Sequence, residues 1–116
     1  PAATATAQDF VLPPVDEVFV LSARADGPGR IEVEWKIAEG FYLYRHRTSV
    51  AADAGFRASG FAVPAGRKHR DEFFGDVETY RTRLVGVLSG TPANGATSTT
   101  LTIKYQGCAD AGVCYP

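Results

Sequence analysis

From Arg30 to Ile37 the chain alternates without a fault. Ile31, Val33, Trp35 and Ile37 are apolar, and Arg30, Glu32, Glu34 and Lys36 between them are charged. A period of two places all the apolar side chains on one side of a pleated strand and all the charges on the other. On an α-helix the same residues would be scattered around the circumference. The segment is therefore a half-buried strand, and a strand of that kind belongs to an antiparallel sheet with one wet face. No window elsewhere carries a 3.6-residue period long enough for a helix. Asp16 to Arg24, Phe41 to Tyr44, Glu78 to Leu88 and Thr99 to Gln106 all read as strands. In the last two, Tyr80, Thr82, Leu84, Gly86 and Leu88, and then Leu101, Ile103 and Tyr105, share a face. Val50 to Gly60 holds either a short strand or a loop.

Asp26-Gly27-Pro28-Gly29, Glu39-Gly40, Pro64-Ala65-Gly66 and a region centred on Asn94-Gly95, a favoured hairpin pair, punctuate these runs. Roughly six to eight short strands at this spacing, with no internal repeat, predict an all-β antiparallel sandwich. Ile31, Val33, Trp35, Ile37, Leu101 and Ile103 are its predicted core. Residues 1–9 are small and polar and read as a flexible terminal segment before a single domain over 10–116.

With 116 residues the chain has the length of one domain. Twelve basic side chains oppose thirteen acidic ones, for a net charge of −1. No long-range field steers such a chain to nucleic acid or to an anionic membrane. No apolar run approaches the ~20 residues that cross a bilayer, so this segment does not itself span a membrane. No basic stretch followed by an apolar one marks a secretory signal. The absence of Met and the abrupt end at Cys114-Tyr115-Pro116 point to a piece of a longer protein.

The two cysteines sit close together, in Cys108-Ala109-Asp110-Ala111-Gly112-Val113-Cys114. Positions six apart fall on different faces of a helix. In a hairpin they lie opposite one another when Ala109 to Val113 form the turn, with Gly112 supplying the positive φ that such a turn often needs. One reading is a structural disulfide. A loop this short, however, removes only about 2–2.5 kcal/mol of unfolded-state entropy, and a turn-borne disulfide is also the kind most readily reduced. A redox pair is the second reading. Cys108 and Cys114 with His46 and His69 supply the atoms for a zinc site, but the spacings match no common closed site. His46 and His69 fit solvated basic stretches better. No nucleophile elbow marks a hydrolase, and no glycine-rich loop precedes a helix to bind phosphate.

Phe73-Phe74-Gly75, straight after Asp71-Glu72, is unusual for a surface loop. Two adjacent aromatics cannot both point inward from a regular strand. Either Phe73 packs on the core while Phe74 covers a sheet edge, or the segment is a lid or binding anchor. Asp71 and Glu72 are either solvated loop charges or groups that restrain a nearby thiol, since like charge disfavours a thiolate. With raised pKa values they would instead accept a proton. If Phe41 and Leu43 face the core, Tyr42 and Tyr44 form an exposed aromatic patch suited to a partner.

Three blocks together resemble one known family. Tyr105-Gln106-Gly107-Cys108-Ala109-Asp110, then Gly112, then Cys114-Tyr115-Pro116 is similar to the cysteine motif of the N-terminal periplasmic domains of DsbD-type thiol:disulfide interchange proteins. Asp71-Glu72-Phe73-Phe74-Gly75 resembles their cap loop, with Phe74 where tyrosine is common. Glu39-Gly40-Phe41-Tyr42-Leu43-Tyr44-Arg45 resembles their aromatic strand. The resemblance implies an immunoglobulin-like sandwich with Cys108 and Cys114 as a redox-active pair, in the periplasm, as part of an inner-membrane protein. It implies that Cys114 forms the mixed disulfide and Cys108 resolves it. Phe73 would shield the sulfurs, with Tyr42 and Tyr44 beside them. Electrons would come from the thioredoxin-like C-terminal domain of the same protein. They would pass to periplasmic thioredoxin-fold acceptors, namely disulfide isomerases and the reductase serving cytochrome c maturation. No cofactor beyond the disulfide is implied.

Overall fold

A computed structural model of the protein describes residues 10–116. The expected flexible segment over 1–9 lies outside the described residues. Among the described residues there are ten strands: β1 (Phe19–Ala25), β2 (Arg30–Ile37), β3 (Phe41–Tyr44), β4 (Ser49–Ala52), β5 (Phe56–Ala62), β6 (Arg67–Asp71), β7 (Gly75–Tyr80), β8 (Arg83–Pro92), β9 (Leu101–Lys104) and β10 (Gly107–Ala109). Two four-stranded sheets, ordered β1-β2-β8-β5 and β10-β3-β7-β6, pair antiparallel throughout, and β4 and β9 form a separate pair. Ile31, Val33, Trp35 and Ile37 are buried, as the alternation of β2 requires, and they pack with Phe41 and Leu43 of the second sheet. Leu101 and Ile103 are only partly buried against this core, because β9 belongs to the small pair.

Three elements differ from the sequence reading. The strand expected from Asp16 begins at Phe19, after a single helical turn α1 (Val15–Val18) that follows Pro14. Proline at a helix start has lost only a donor that would have no partner there. The run from Glu78 to Leu88 is two strands, not one. Thr82 has φ 68°, and the corner carries the chain from the second sheet (β7) to the first (β8). Asn94-Gly95 does form a turn, with φ 78° at Gly95, but it joins β8 and β9, which pair with other strands and not with each other. Asn-Gly sets local geometry only, and the partner of each strand is chosen by where its apolar face can be buried.

The placement of β10 matters most for the site. Gly107, Cys108 and Ala109 stand opposite Leu43, Tyr42 and Phe41. Gly107 and Ala109 thus share the inward face with Leu43 and Phe41, and Cys108 turns outward with Tyr42. A side chain at 107 could not fit without displacing both the Phe19 ring and the Tyr42 backbone.

Candidate active site

Cys108 and Cys114 are joined in a disulfide, with a Cα–Cα distance of 3.9 Å. Ala109 N–H donates to Val113 O (2.8 Å) and Tyr115 N–H to Gly107 O (3.0 Å). These bonds flank the cysteines and make them a non-hydrogen-bonded cross-strand pair, the type whose side chains approach most closely. The turn is the one the spacing called for, with φ 94° at Gly112. Cys108 is fully buried, whereas Cys114 is half-buried. Among the described residues no group of three or more His, Cys, Asp or Glu side chains is arranged to hold a metal.

Tyr42 and Tyr44 do not form an exposed patch. They are 6% and 0% exposed, and they make a second buried cluster with Cys108, against which Val77 and Cys114 pack. The sequence reading assumed that the outer face of β3 meets water. The tip of the β6–β7 hairpin covers it instead. There Phe74 stands edge-on to Tyr44 (5.0 Å between centroids) and to His46 (4.8 Å), and the Arg47 guanidinium lies over its ring. The Tyr42 and Tyr44 rings meet edge to face at 5.5 Å.

Asp71 is not a solvated loop charge either. It is 4% exposed and accepts four hydrogen bonds: from Tyr44 O–H (2.6 Å), Tyr42 O–H (3.0 Å), and the backbone N–H groups of Phe73 (2.7 Å) and Phe74 (2.9 Å). Burial pushes its pKa up, but the Tyr44 bond, the two backbone donors and the Tyr42 bond outweigh it and hold the carboxyl below its ordinary range. Asp71 is therefore ionised at neutral pH and does not act as the proton acceptor that a raised pKa would have made it. Burial, followed by the bond to Asp71, drives the Tyr44 phenol far above its usual range. Burial is also the main cause of the upward shift at Tyr42. Tyr44 thus stays protonated. Its hydroxyl donates to Asp71 and lies 3.1 Å from Cys108 Sγ, so the buried sulfur packs against the oxygen that the carboxylate holds in place.

Glu72 reaches across to the cysteine turn. One of its carboxylate oxygens lies 3.4 Å from where a Cβ on Gly112 would stand. Phe73 is 52% exposed, which excludes the alternative that it packs on the core, and Phe74 is 42% exposed. Gly75 closes the tip opposite Asp71 with φ 78°. Two residues escaped the sequence reading. Asp110, inside the cysteine turn, takes both guanidinium nitrogens of Arg81, at 3.0 and 2.7 Å. An acidic residue between the two cysteines was a visible signal. Arg81, 29 positions away, had none.

An antiparallel sandwich with a partly accessible disulfide on the outer face of one sheet, under the tip of a neighbouring hairpin, defines an immunoglobulin-like frame that brings a cysteine pair to its surface. Residues 9–116 match the family described as "Thiol:disulfide interchange protein DsbD, N-terminal", and the chain belongs to that family. The thiol:disulfide interchange protein DsbD of Salmonella typhi is 44% identical over 104 residues, which are 89% of this chain and 18% of that protein. That of Escherichia coli O157:H7 is 38% identical over 103 residues, with the same shares. The chain thus spans 18% of the length of these curated relatives. The crystal structure of the Neisseria meningitidis DsbD N-terminal domain in the reduced form superposes with a TM-score of 0.76. It is 30% identical and covers 90% of this chain and 82% of that one. The complex between the DsbD N-terminal and PilB N-terminal domains from the same organism gives 0.73 at 28% identity, covering 90% and 80%.

Proposed function

We propose that this domain relays electron pairs between proteins through reversible opening of the Cys108–Cys114 disulfide. The observation that carries this reading is the unequal exposure of the two sulfurs. Cys108 is sealed between Tyr42 and Tyr44, whereas Cys114 is half-open at the turn. Thiol–disulfide exchange needs a thiolate to approach a sulfur directly, and Cys114 is the one that can be approached.

In the donating direction the Cys114 thiolate attacks the disulfide of an oxidised partner. A Cys114–partner bond forms and the partner's first sulfur leaves as a thiolate. The Cys108 thiolate then attacks Cys114 Sγ, the intramolecular disulfide re-forms, and the partner's second sulfur leaves. Two electrons pass to the partner, and its two thiolates take up the protons that the cysteines gave up. The charging half-reaction is the reverse, with a reduced donor attacking Cys114.

The family assignment supports the thioredoxin-like C-terminal domain of the same protein as donor and periplasmic thioredoxin-fold proteins as acceptors. The domain would then stand in the periplasm as part of an inner-membrane protein. The cap segment Asp71 to Gly75 restricts access. Asp71 anchors it to Tyr42 and Tyr44, Glu72 lies against the cysteine turn, and Phe73 is the side chain free to cover the sulfurs. Phe74 anchors the far side of the tip on Tyr44.

The test is trapping on a non-reducing gel with a thioredoxin-like partner. Cys108→Ala should accumulate a mixed disulfide through Cys114, and Cys114→Ala should accumulate little. Equal trapping by both variants would overturn the division of roles. No trapping by either, with no exchange by the wild type, would make the disulfide an inert staple.

A further inference from the structure

We propose that Arg81 and Asp110 are positioning residues that hold the 108–114 turn closed once its disulfide has opened, keeping Cys108 within reach of Cys114. The proposal rests on the exchange reading above and adds the device that makes the second exchange step fast.

The two side chains form a forked ion pair, at 3.0 and 2.7 Å, that joins the β7–β8 corner to the middle of the cysteine turn. The backbone of Asp110 is fixed as well, its N–H donating to Gly40 O (2.8 Å). The same guanidinium reaches Phe41 O (3.4 Å) and lies over the Tyr42 ring, 5.2 Å from its centroid. Tyr42 is the residue paired with Cys108. Arg81 therefore touches the turn, the strand behind it and the ring that walls in the buried sulfur.

The corner that presents Arg81 is the second observation. Thr82 follows it at φ 68°, a conformation that costs a β-branched residue free energy. It persists because it is held from both sides: Ile37 N–H donates to Thr82 O (2.9 Å) and Arg83 N–H to Arg81 O (2.7 Å). A strained corner of this kind fixes the direction in which the neighbouring side chain leaves the sheet, here toward Asp110.

While the disulfide is intact, the covalent bond and the ion pair hold the turn together. After one S–S bond has moved to a partner, the turn is held by backbone bonds (Ala109 to Val113, Tyr115 to Gly107, Gly112 to Ala109, Asp110 to Gly40) and, as its one side-chain clamp to the β7–β8 corner, by the Arg81 fork. The tendency of two thiols to close measures their effective concentration, which rises when the open turn keeps the closed geometry. Coupling of this kind is reciprocal: the disulfide strengthens the ion pair as much as the pair favours the disulfide. Arg81 and Asp110 are 39% and 52% exposed, and exposed pairs add little to global stability. A merely structural pair would therefore leave the exchange equilibria unmoved.

The experiment equilibrates the domain with glutathione redox buffers and counts dithiol, disulfide and glutathione-mixed forms by alkylation and mass. Wild type, Arg81→Ala, Asp110→Asn and the double variant are compared. Each single variant should lower the disulfide-forming constant about five- to tenfold, tenfold being ~30 mV toward a more oxidising potential. Each should also raise the mixed disulfide on Cys114 several-fold. The double variant should be no worse than either single one, because they remove the same contact. Arg81→Lys should fall between, since it keeps the charge and loses the fork. Folded variants within about twofold of wild type in both readouts would overturn the proposal (a twofold change being within the scatter expected of non-additive substitutions). If Arg81→Ala does not fold, Asp110→Asn carries the same comparison. A wild type that exchanges with neither glutathione nor a reduced thioredoxin-like protein would sink the exchange reading itself. An exchanging wild type matched by its variants would sink only the positioning role.

Discussion

Strands β2 and β3 each hold the second place in a four-stranded sheet, and each sends aromatic and aliphatic side chains into the same core. They differ on the other face. In β2 burial alternates, and Glu32 and Glu34 look outward, paired with Arg24 and Arg83 on neighbouring strands. In β3 all four residues are buried. A strand can bury its second face only if whatever covers it satisfies the polar atoms brought in. Tyrosine suits that position, with a ring to pack and a hydroxyl that needs a partner. Asp71 is that partner, and the two tyrosines with two backbone donors are what allow a carboxylate to be buried. The first sheet is thus a conventional support, and the second encloses a sulfur.

The largest effect should come from the support. Trp35→Ala removes a side chain that is 0% exposed and should cost roughly 3–5 kcal/mol. Its Nε1–H has no hydrogen-bond partner among the described residues, and Trp35→Phe keeps an aromatic ring in the core, so it should cost clearly less. Urea midpoints of the two variants check this. A midpoint unchanged in Trp35→Ala would refute the packing of β2.

Asp71→Ala tests the other side of the comparison. It orphans four donors and should cost roughly 2–4 kcal/mol, since the hydroxyls can turn to other partners. The folded-state pKa of Asp71 is lowered by hydrogen bonds that outweigh its burial. Its stabilisation is therefore fully present above the unfolded carboxylate value of about 4 and is lost as pH falls through the folded pKa. The stability gap between wild type and Asp71→Ala should stay constant from pH 7 to about 5 and shrink in more acid solution. A gap that does not change with pH would mean the carboxylate is not held ionised.

Tyr44→Phe and Tyr42→Phe refine this by single atoms. Each deletes one bond to a charged acceptor, worth about 1.5–3 kcal/mol. The Tyr44 bond is shorter, and its residue is the more deeply buried of the two, so Tyr44→Phe should be the costlier by thermal melting. The reverse order would shift the centre of the cluster to Tyr42.

The smallest change in stability should come from Phe73→Ala. A side chain 52% exposed loses little on truncation, under about 1 kcal/mol. Under the shielding role proposed above, the second-order rate of reduction by glutathione should nevertheless rise. An unchanged rate would remove Phe73 from the cap.

Legibility followed the range of each interaction. The strand β2 and the cysteine hairpin with its Gly112 turn could be read from residues close in the chain. The Tyr42–Tyr44 pair is visible in the sequence, but the hairpin tip that covers its outer face is not. The run from Glu78 to Leu88 kept its apolar period across Arg81-Thr82, so nothing in the pattern revealed the corner where the chain changes sheets.

The amino-acid order by itself thus determined that this chain is a sandwich of short antiparallel strands with a disulfide-ready turn near its end. Side-chain period and turn chemistry act over a few residues and are written in consecutive positions. Only the tertiary structure decided that Asp71 is buried and ionised, that β3 is dry on both faces, and that Arg81 meets Asp110. Each of these depends on groups 27 to 29 positions apart arriving at one place. Whether a carboxylate or a guanidinium is solvated or enclosed is settled by the donors and acceptors it meets there, which its own sequence neighbours do not specify.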